Sequence, residues 1–130
     1  ISYKGNLFAT IFFSLEKNNF TLNELTKINV NLIIKLISLY YKEKIVSKPP
    51  NDILIKEKKI CGILQEIVQK NEIKYLIVGI GLNLVKSPNI PKYPTTNLYD
   101  LTNMKISTNN VSKNLILIYK NFLKSKTFYR

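Results

Sequence analysis

Residues 48–66 read KPPNDILIKEKKICGILQE, and this stretch decides how the rest of the chain is interpreted. Two prolines at its start fix a turn, because proline locks φ and cannot donate to a strand ladder. Apolar residues then flank a charged stretch, which is typical of a β-hairpin. We predict strands at Ile53–Ile55 and Lys59–Val68, with the turn at Glu57-Lys58.

Upstream of this hairpin the sequence predicts a strand and a helix. Residues 5–15 are rich in aromatic and β-branched side chains, which favours a buried strand. Thr21 and Glu24 have the spacing of a capping box, and a helix of about five turns should follow them. The apolar residues expected along this helix are Leu22, Leu25, Ile28, Leu32, Leu36 and Leu39.

The remaining segments complete an α+β pattern. A short strand is predicted at residues 45–47, and an apolar strand is predicted at residues 73–84 after a polar turn. Residues 86–100 contain three prolines and are predicted to be a loop. A helix is predicted over residues 109–124, with Val111, Leu115, Ile118 and Phe122 on its apolar face. The order of elements predicts an α+β fold, a mixed or antiparallel sheet with helices packed on one face.

The charge of the chain is strongly positive, with a formal net charge of +12 from 20 basic and 8 acidic residues. Every basic residue except Arg130 is a lysine, and the lysines are spread along the chain. Specific readers of nucleic acid favour arginine, so we expect no specific nucleic-acid partner. A non-enzymatic domain that binds polyanions through charge alone stays open as an alternative.

The chemistry available to the chain is limited by its composition. Histidine is absent and Cys61 is the single cysteine, so no Cys-based zinc site and no other metal site is predicted. A lone cysteine on an apolar strand is typical of core filling and is compatible with the reducing cytoplasm. No apolar run reaches 18 residues, so no membrane partner is expected.

The first group of candidate functional residues lies in the opening stretch. The prolines fix the backbone from which Asn51 and Asp52 project, and a folded hairpin would return Lys59 close to Asp52. A positioned lysine stabilises the charge that develops in phosphoryl or adenylyl transfer. The alternative is a simple Asn-Asp turn beside a solvated lysine.

Two further groups contain glycine within strands. Gly62-Ile63-Leu64 offers bare backbone to an approaching group, and Gly79-Ile80-Gly81-Leu82-Asn83 combines close approach with the donor and acceptor of an amide. As a dinucleotide motif the second group is weak, since it lacks a third glycine and no helix follows. Simple strand packing is the alternative for both groups.

Taken together, the three groups resemble the catalytic domain of biotin–protein ligases. The matching residues, in order, are Lys48, Pro50, Asn51, Asp52, Lys59, Ile60, Gly62, Ile63, Leu64, Glu66 and residues 79–83. Residues 5–8 resemble the strand that follows the family's Gly-Arg-Gly-Arg loop, and residues 94–98 resemble a later Thr-Ser-Leu segment. The resemblance implies a partial class II synthetase-like biotin/lipoate ligase fold over residues 1–130.

The resemblance implies a two-step reaction. Biotin is activated with ATP, with Mg²⁺ assistance, to biotinyl-5'-AMP, and biotin is then transferred to a lysine of the carrier domain of a biotin-dependent carboxylase. By resemblance, Lys59 and Asp52 would be catalytic, with Lys59 also contacting biotin. Asn51, Asn83 and Gly81 would bind ATP or the adenylate, whereas Gly62, Ile63 and Leu64 would bind biotin.

The sequence also departs from the family's pattern. Pro49 stands where the family usually has tryptophan, and the chain contains no Gly-Arg-Gly-Arg loop. The resemblance therefore implies the central and C-terminal part of the catalytic domain, without the family's DNA-binding domain or C-terminal β domain. A missing N-terminal half of the ligase would then be a partner. A catalytically dead or split-gene relative, and the neighbouring lipoate- or octanoate-transferring enzymes, are the alternatives.

Overall fold

The computed structural model describes residues 4–16 and 20–128. The strands are β1 (Leu7–Ser14), β2 (Val46–Lys48), β3 (Asp52–Ile55), β4 (Lys58–Lys70) and β5 (Ile73–Leu82). The helices are α1 (Leu22–Ser38), α2 (Leu98–Thr102) and α3 (Thr108–Phe128).

The five strands form one antiparallel sheet in the order β1-β5-β4-β3-β2. The predicted α+β fold with an antiparallel sheet is confirmed. The β3–β4 turn consists of Lys56 and Glu57, both with positive φ, so it lies one residue earlier than predicted. A two-residue hairpin turn of this kind is usually marked by Asn or Gly, and neither residue is present here to mark its position.

Both long helices cover the same face of the sheet. On β5, Leu76, Val78, Ile80 and Leu82 are buried, and they alternate with residues that point to the opposite face. Phe13 of β1 contacts Tyr119 of α3 on the helix side, with ring centroids 6.4 Å apart. The predicted packing of helices on one face is therefore confirmed.

The predicted start of α1 is confirmed by its capping box. The Thr21 hydroxyl accepts from the Glu24 amide at 3.1 Å, and the Glu24 carboxylate accepts from the Thr21 amide at 2.8 Å. These hydrogen bonds lower the pKa of the Glu24 carboxyl. The predicted apolar face was partly wrong, because Leu22 and Leu39 lie at the ends of the helix and are exposed.

A chain of polar side chains, two of them buried and two half-buried, joins the helices to the sheet. The Tyr119 hydroxyl donates to Asn29 Oδ1 at 2.8 Å, and Asn29 Nδ2 donates to Gln65 Oε1 at 2.6 Å. Gln65 Nε2 in turn donates to the Thr26 hydroxyl at 2.5 Å. Asn29 is fully buried, so these bonds satisfy an amide that would otherwise be costly to bury.

Three predicted boundaries change in the C-terminal half. The strand predicted to reach residue 84 ends at Leu82, where the chain turns out of the sheet. The predicted loop contains α2, which begins after Asn97; the side chain of this N-cap accepts from the Asp100 amide at 2.8 Å. The predicted second long helix extends beyond both predicted ends, to Thr108 and Phe128. Among the described helices, none combines the length and apolarity needed to span a membrane.

Candidate functional site

A cavity of about 660 Å³ opens on the face of the sheet opposite the helices. It is lined by Phe8, Ala9, Thr10, Asn51, Asp52, Lys59, Ile60, Cys61, Gly62, Ile63, Leu64, Gly79, Ile80, Gly81, Asn83, Pro88, Ile90, Tyr93 and Thr95. The cavity therefore brings together residues from β1, β3, β4, β5 and the segment that follows β5. Every site residue predicted from the sequence lies along its lining.

Glycines form the floor of the cavity. Gly62 of β4 lies directly opposite Gly81 of β5, and Gly79 lies opposite Leu64. A Cβ atom added to Gly81 would stand 3.3 Å from the ring of Phe8, which lies opposite Gly81 on β1. The missing side chains leave a shallow surface that a flat or extended group could reach closely.

Lys59 and Asp52 form an ion pair at the edge of this floor. The Lys59 Nζ atom lies 3.2 Å from Asp52 Oδ1, and the two side chains are 25% and 31% exposed. The hairpin turn brings the two residues together, as the sequence predicted. The register shifts by one residue between Ile53 and Leu54, so that Asp52 lies opposite Gly62 rather than opposite Cys61.

Gly62 also provides the space in which the Lys59 side chain lies. A Cβ atom at Gly62 would stand 3.3 Å from both Cε and Nζ of Lys59. This distance is shorter than an ordinary van der Waals contact, so a larger residue would press against the ammonium group. The position of the Lys59 side chain therefore depends on glycine at residue 62.

The segment after β5 holds the backbone of Lys59 from the other side. The Lys59 amide donates to Pro94 O at 3.0 Å, and the Thr96 amide donates to Lys59 O at 2.8 Å. The Lys59 Nζ atom also lies 5.4 Å from the centre of the Tyr93 ring. A cation at this distance from an aromatic face is attracted by the ring electrons.

Asn51 and Asn83 line the cavity, but their amides already have protein partners. Asn51 Nδ2 donates to Ile63 O, and the Ile63 amide donates to Asn51 O at 3.0 Å. Asn83 Nδ2 donates to Thr96 O at 3.0 Å. Both asparagines therefore fix the walls of the cavity in addition to bordering it.

Ile63 contributes differently from its neighbours on β4. Its side chain is 2% exposed and belongs to the core under the helices. Gly62 and Leu64 lie on the opposite, open face, since successive residues of a strand alternate. Ile63 therefore borders the cavity through its backbone, whose amide and carbonyl both bond to Asn51.

Sequence reasoning missed several lining residues. Phe8 and Thr10 come from β1, and Tyr93 and Thr95 come from the proline-containing segment. No short-range spacing marks these residues, because sheet order and chain return bring them to the site. Asn6 entered the sequence analysis only as one of residues 5–8, because its burial is visible in the structure alone.

The acidic and thiol groups near the cavity are few. Asp52 is the one carboxylate among the described residues that line it, and no group of three potential metal-binding side chains occurs in the described residues. Burial raises the pKa of the Cys61 thiol to about 12, although nearby Lys59 acts in the opposite direction. Cys61 is therefore a protonated core residue.

Solved structures with the same fold include biotin and lipoate ligases. The biotin protein ligase from Aquifex aeolicus, in complex with biotin and ATP, aligns with a TM-score of 0.76 and 25% identity over 95% of this chain and 52% of that chain. A bipartite lipoate protein ligase from Thermoplasma acidophilum aligns with a TM-score of 0.70 at 14% identity, which shows the fold alone.

Relatives found by sequence match a shorter part of the chain. The bifunctional ligase/repressor BirA of Bacillus subtilis is 36% identical over a 78-residue alignment that covers 56% of this chain and 24% of the relative. The biotin–[acetyl-CoA-carboxylase] ligase of Mycobacterium tuberculosis is 32% identical over 69 residues, 53% of this chain and 24% of the relative. The matches thus span about a quarter of either relative.

The family model covers a larger part of the chain than either of these relatives. The model of the biotin/lipoate A/B protein ligase family matches residues 1–83, which is more than half of the 130 residues. This range includes β1 to β5 and every predicted site residue. The chain therefore belongs to the biotin/lipoate A/B protein ligase family.

Proposed function

We propose that the chain carries the biotin and adenylate site of a biotin–protein ligase. A biotin carboxylate oxygen attacks the α-phosphorus of ATP, the bond to the bridging oxygen breaks, and pyrophosphate leaves. The ε-amine of an acceptor lysine then attacks the acyl carbon of biotinyl-5'-AMP, forms the amide and releases AMP. The observation that carries the proposal is the Lys59–Asp52 pair at the edge of the glycine floor.

Lys59 is proposed to stabilise charge in the first step. Its ammonium group is a compact cation at the cavity. The backbone of Lys59 is held through its amide, which donates to Pro94 O, and through its carbonyl, which accepts from the Thr96 amide. The transition state places negative charge on the carboxylate and the α-phosphate, and a fixed cation beside both stabilises it. No proton has to be transferred to Lys59, which agrees with a site that contains no histidine.

The glycine floor is proposed to hold biotin. Gly62, Gly79 and Gly81 remove side chains from the centre of the cavity, while Leu64 and Phe8 border it with apolar surface. A flat bicyclic ligand with an apolar chain fits such a surface, where close approach to backbone is combined with apolar contact. Ile63 supports this floor from the core side.

Asn51, Asn83 and Gly81 are proposed to border the adenylate. The side-chain amides of Asn51 and Asn83 donate to Ile63 O and Thr96 O, so we propose that these two residues shape the cavity beside the adenylate. Mg²⁺ would enter as the counter-ion of ATP. Asp52 would help to hold this Mg²⁺, because Mg²⁺ in nucleotide sites is commonly held by one or two carboxylates together with substrate phosphates.

The proposed acceptor is the carrier domain of a biotin-dependent carboxylase in the cytoplasm. The chain covers 52% of the Aquifex structure. We propose that a further half of the ligase completes the site and that the two halves together have ligase activity. The family also includes lipoate ligases. The 32% identity to a relative named a biotin–[acetyl-CoA-carboxylase] ligase favours biotin.

The proposal is tested by calorimetric titration of the chain with biotin, lipoate, octanoate and ATP with Mg²⁺. We expect biotin to bind more tightly than lipoate, with little change between low and high salt. Binding of polyanions only, lost steeply as salt rises, would instead identify a charge-driven binding domain. Preference for lipoate would move the chain to the other branch of its family.

Turnover is measured separately as release of pyrophosphate and transfer of biotin to a purified carrier domain. The chain is compared with a form extended through any coding sequence upstream of Ile1. We expect weak turnover by the chain alone, because open sites lose stabilising contacts and admit water to the acyl-adenylate. Biotin binding without turnover in either form would support a catalytically dead relative.

A further inference from the structure

Asn6 lies directly before β1, and its side chain packs against residues 84–86, which follow β5. Its side chain is 8% exposed, and its Oδ1 atom accepts from three consecutive amides, those of Leu84, Val85 and Lys86, at 2.9, 2.9 and 3.2 Å. These amides follow the last residue of β5, where the sheet ladder no longer supplies acceptors. One side chain therefore replaces the ladder for a whole turn of backbone.

The other end of the Asn6 amide contacts Asn83, which lines the cavity. Its Nδ2 atom donates to Lys86 O at 2.8 Å and lies 3.5 Å from Asn83 Oδ1. Asn83 lines the cavity, and its own Nδ2 donates to Thr96 O. The orientation of the Asn83 amide is thus set from two sides, by Asn6 and by Thr96.

The same series of contacts continues to the backbone of Lys59. The Thr96 amide donates to Lys59 O at 2.8 Å, and the Asn83 amide donates to Ile60 O at 3.0 Å. Asn6 is therefore linked to Lys59 through Asn83 and Thr96. Each link connects a different element of the sheet or of the segment after it.

Packing at Gly5 independently fixes the same corner. Gly5 has φ of +93°, and a Cβ atom there would stand 2.8 Å from Val85 Cγ2. The chain can make this approach only with glycine, because both the positive φ and the short distance oppose a side chain. The Gly5-Asn6 corner is therefore held against residues 84–86 by packing as well as by hydrogen bonds.

We propose that Asn6 is a positioning residue of the site, which sets the placement of Asn83 and, through Thr96, of the Lys59 backbone. The inference deepens the proposed function and rests on it for its effect on ligands. Asn6 itself does not line the cavity, so its influence passes through Asn83 and the turn at residues 84–86.

The first test reads backbone placement and does not depend on function. Hydrogen exchange of the Lys59 and Thr96 amides is compared in wild type, Asn6→Ala, Asn6→Asp and Asn29→Ala. Asn29 is a matched control, because it is another buried asparagine with several hydrogen bonds, but it lies on the helix side of the sheet. We expect Asn6→Ala to speed exchange at Thr96 and at residues 84–86 by more than at other amides, whereas Asn29→Ala should produce only the general increase that follows from a less stable fold.

The second test reads ligand placement, with a non-hydrolysable acyl-sulfamate analogue of biotinyl-5'-AMP. At a temperature where every variant is folded, we expect Asn6→Ala to weaken binding on the order of tenfold to a hundredfold, since small misplacements are costly. Asn6→Asp keeps the acceptor for three amides but loses the Nδ2 donor, so it should recover part of the affinity. Asn29→Ala should bind as wild type does.

The outcomes separate the two claims. Faster exchange confined to residues 84–86 in Asn6→Ala, or equal loss of affinity in Asn6→Ala and Asn29→Ala, would overturn the positioning role. Absence of analogue binding in wild type, together with faster exchange that reaches Thr96, would overturn the proposed function and keep the placement of Lys59 by Asn6.

Discussion

Lys59 Nζ lies 3.2 Å from Asp52 Oδ1 across the hairpin formed by β3 and β4, and the bare backbone of Gly62 lies beneath the ammonium group. The two charges are partly exposed, so their mutual attraction is screened by water and contributes little to stability. The arrangement keeps a cation at the edge of a cavity without burying it. It therefore suits a role in charge stabilisation better than a role in folding.

Replacement of Lys59 by alanine should separate these two roles. We expect the rate of biotin-dependent pyrophosphate release to fall on the order of a hundredfold or more, as for loss of a group that stabilises transition-state charge. The free energy of unfolding should change by less than about 1 kcal/mol. Lys58→Ala is the matched control, since Lys58 is exposed and does not line the cavity. Equal rates in the two variants would remove Lys59 from the proposed mechanism.

Gly62→Ala should act through Lys59. The added methyl group would stand 3.3 Å from Lys59 Cε and Nζ and should displace the ammonium group, while stability changes by less than about 1 kcal/mol. We expect pyrophosphate release to fall in the wild-type background and to change little further in the Lys59→Ala background. Fully additive effects in this double-mutant cycle would show that Gly62 acts separately, for example through direct contact with biotin.

Asn29→Ala should destabilise the fold. It removes the Asn29 partner of the buried Tyr119 hydroxyl and of Gln65 Oε1, whereas Gln65 Nε2 keeps its bond to Thr26. A buried polar group left unsatisfied costs roughly 1–3 kcal/mol. Urea denaturation measures the change. Asn114→Ala, which removes a half-buried contact to the Tyr40 hydroxyl, should cost less than about 1 kcal/mol. Similar losses in the two variants would contradict the importance assigned to the buried network.

The stability of the protein should fall in alkaline solution partly because of Cys61. Burial raises the pKa of the thiol from 9.0 to about 12, so the unfolded chain loses the proton before the folded chain does. Its contribution is fully present below pH 9 and is lost as pH rises toward the folded pKa, by up to about 1.4 kcal/mol per pH unit. Unfolding free energies between pH 7 and pH 10 should show a shallower decline in Cys61→Ala. A thiol that reacts rapidly with a disulfide reagent in the native state at pH 8 would contradict its burial.

Local sequence patterns determined most of the secondary structure. The capping box at Thr21 and Glu24 predicted the start of α1, because both hydrogen bonds form within one helical turn. Burial on β5 follows the alternation expected of a strand with one covered face, although its apolar run did not distinguish the two faces. Exact turns were harder, since Lys56 and Glu57 carry no residue that marks positive φ.

The resemblance implied one site for Asn51, Asp52, Lys59 and Asn83, and the structure brings all four to the lining of one cavity. The sequence by itself therefore determined which strands form, the hairpin that pairs Lys59 with Asp52, and the glycines that keep the floor bare. Only the tertiary structure decided that Phe8, Thr10 and Tyr93 join them, and that Asn6 holds the turn after β5. The physical reason is range: turns and caps depend on neighbours in sequence, whereas these contacts depend on the order of strands and on where the chain returns to the sheet.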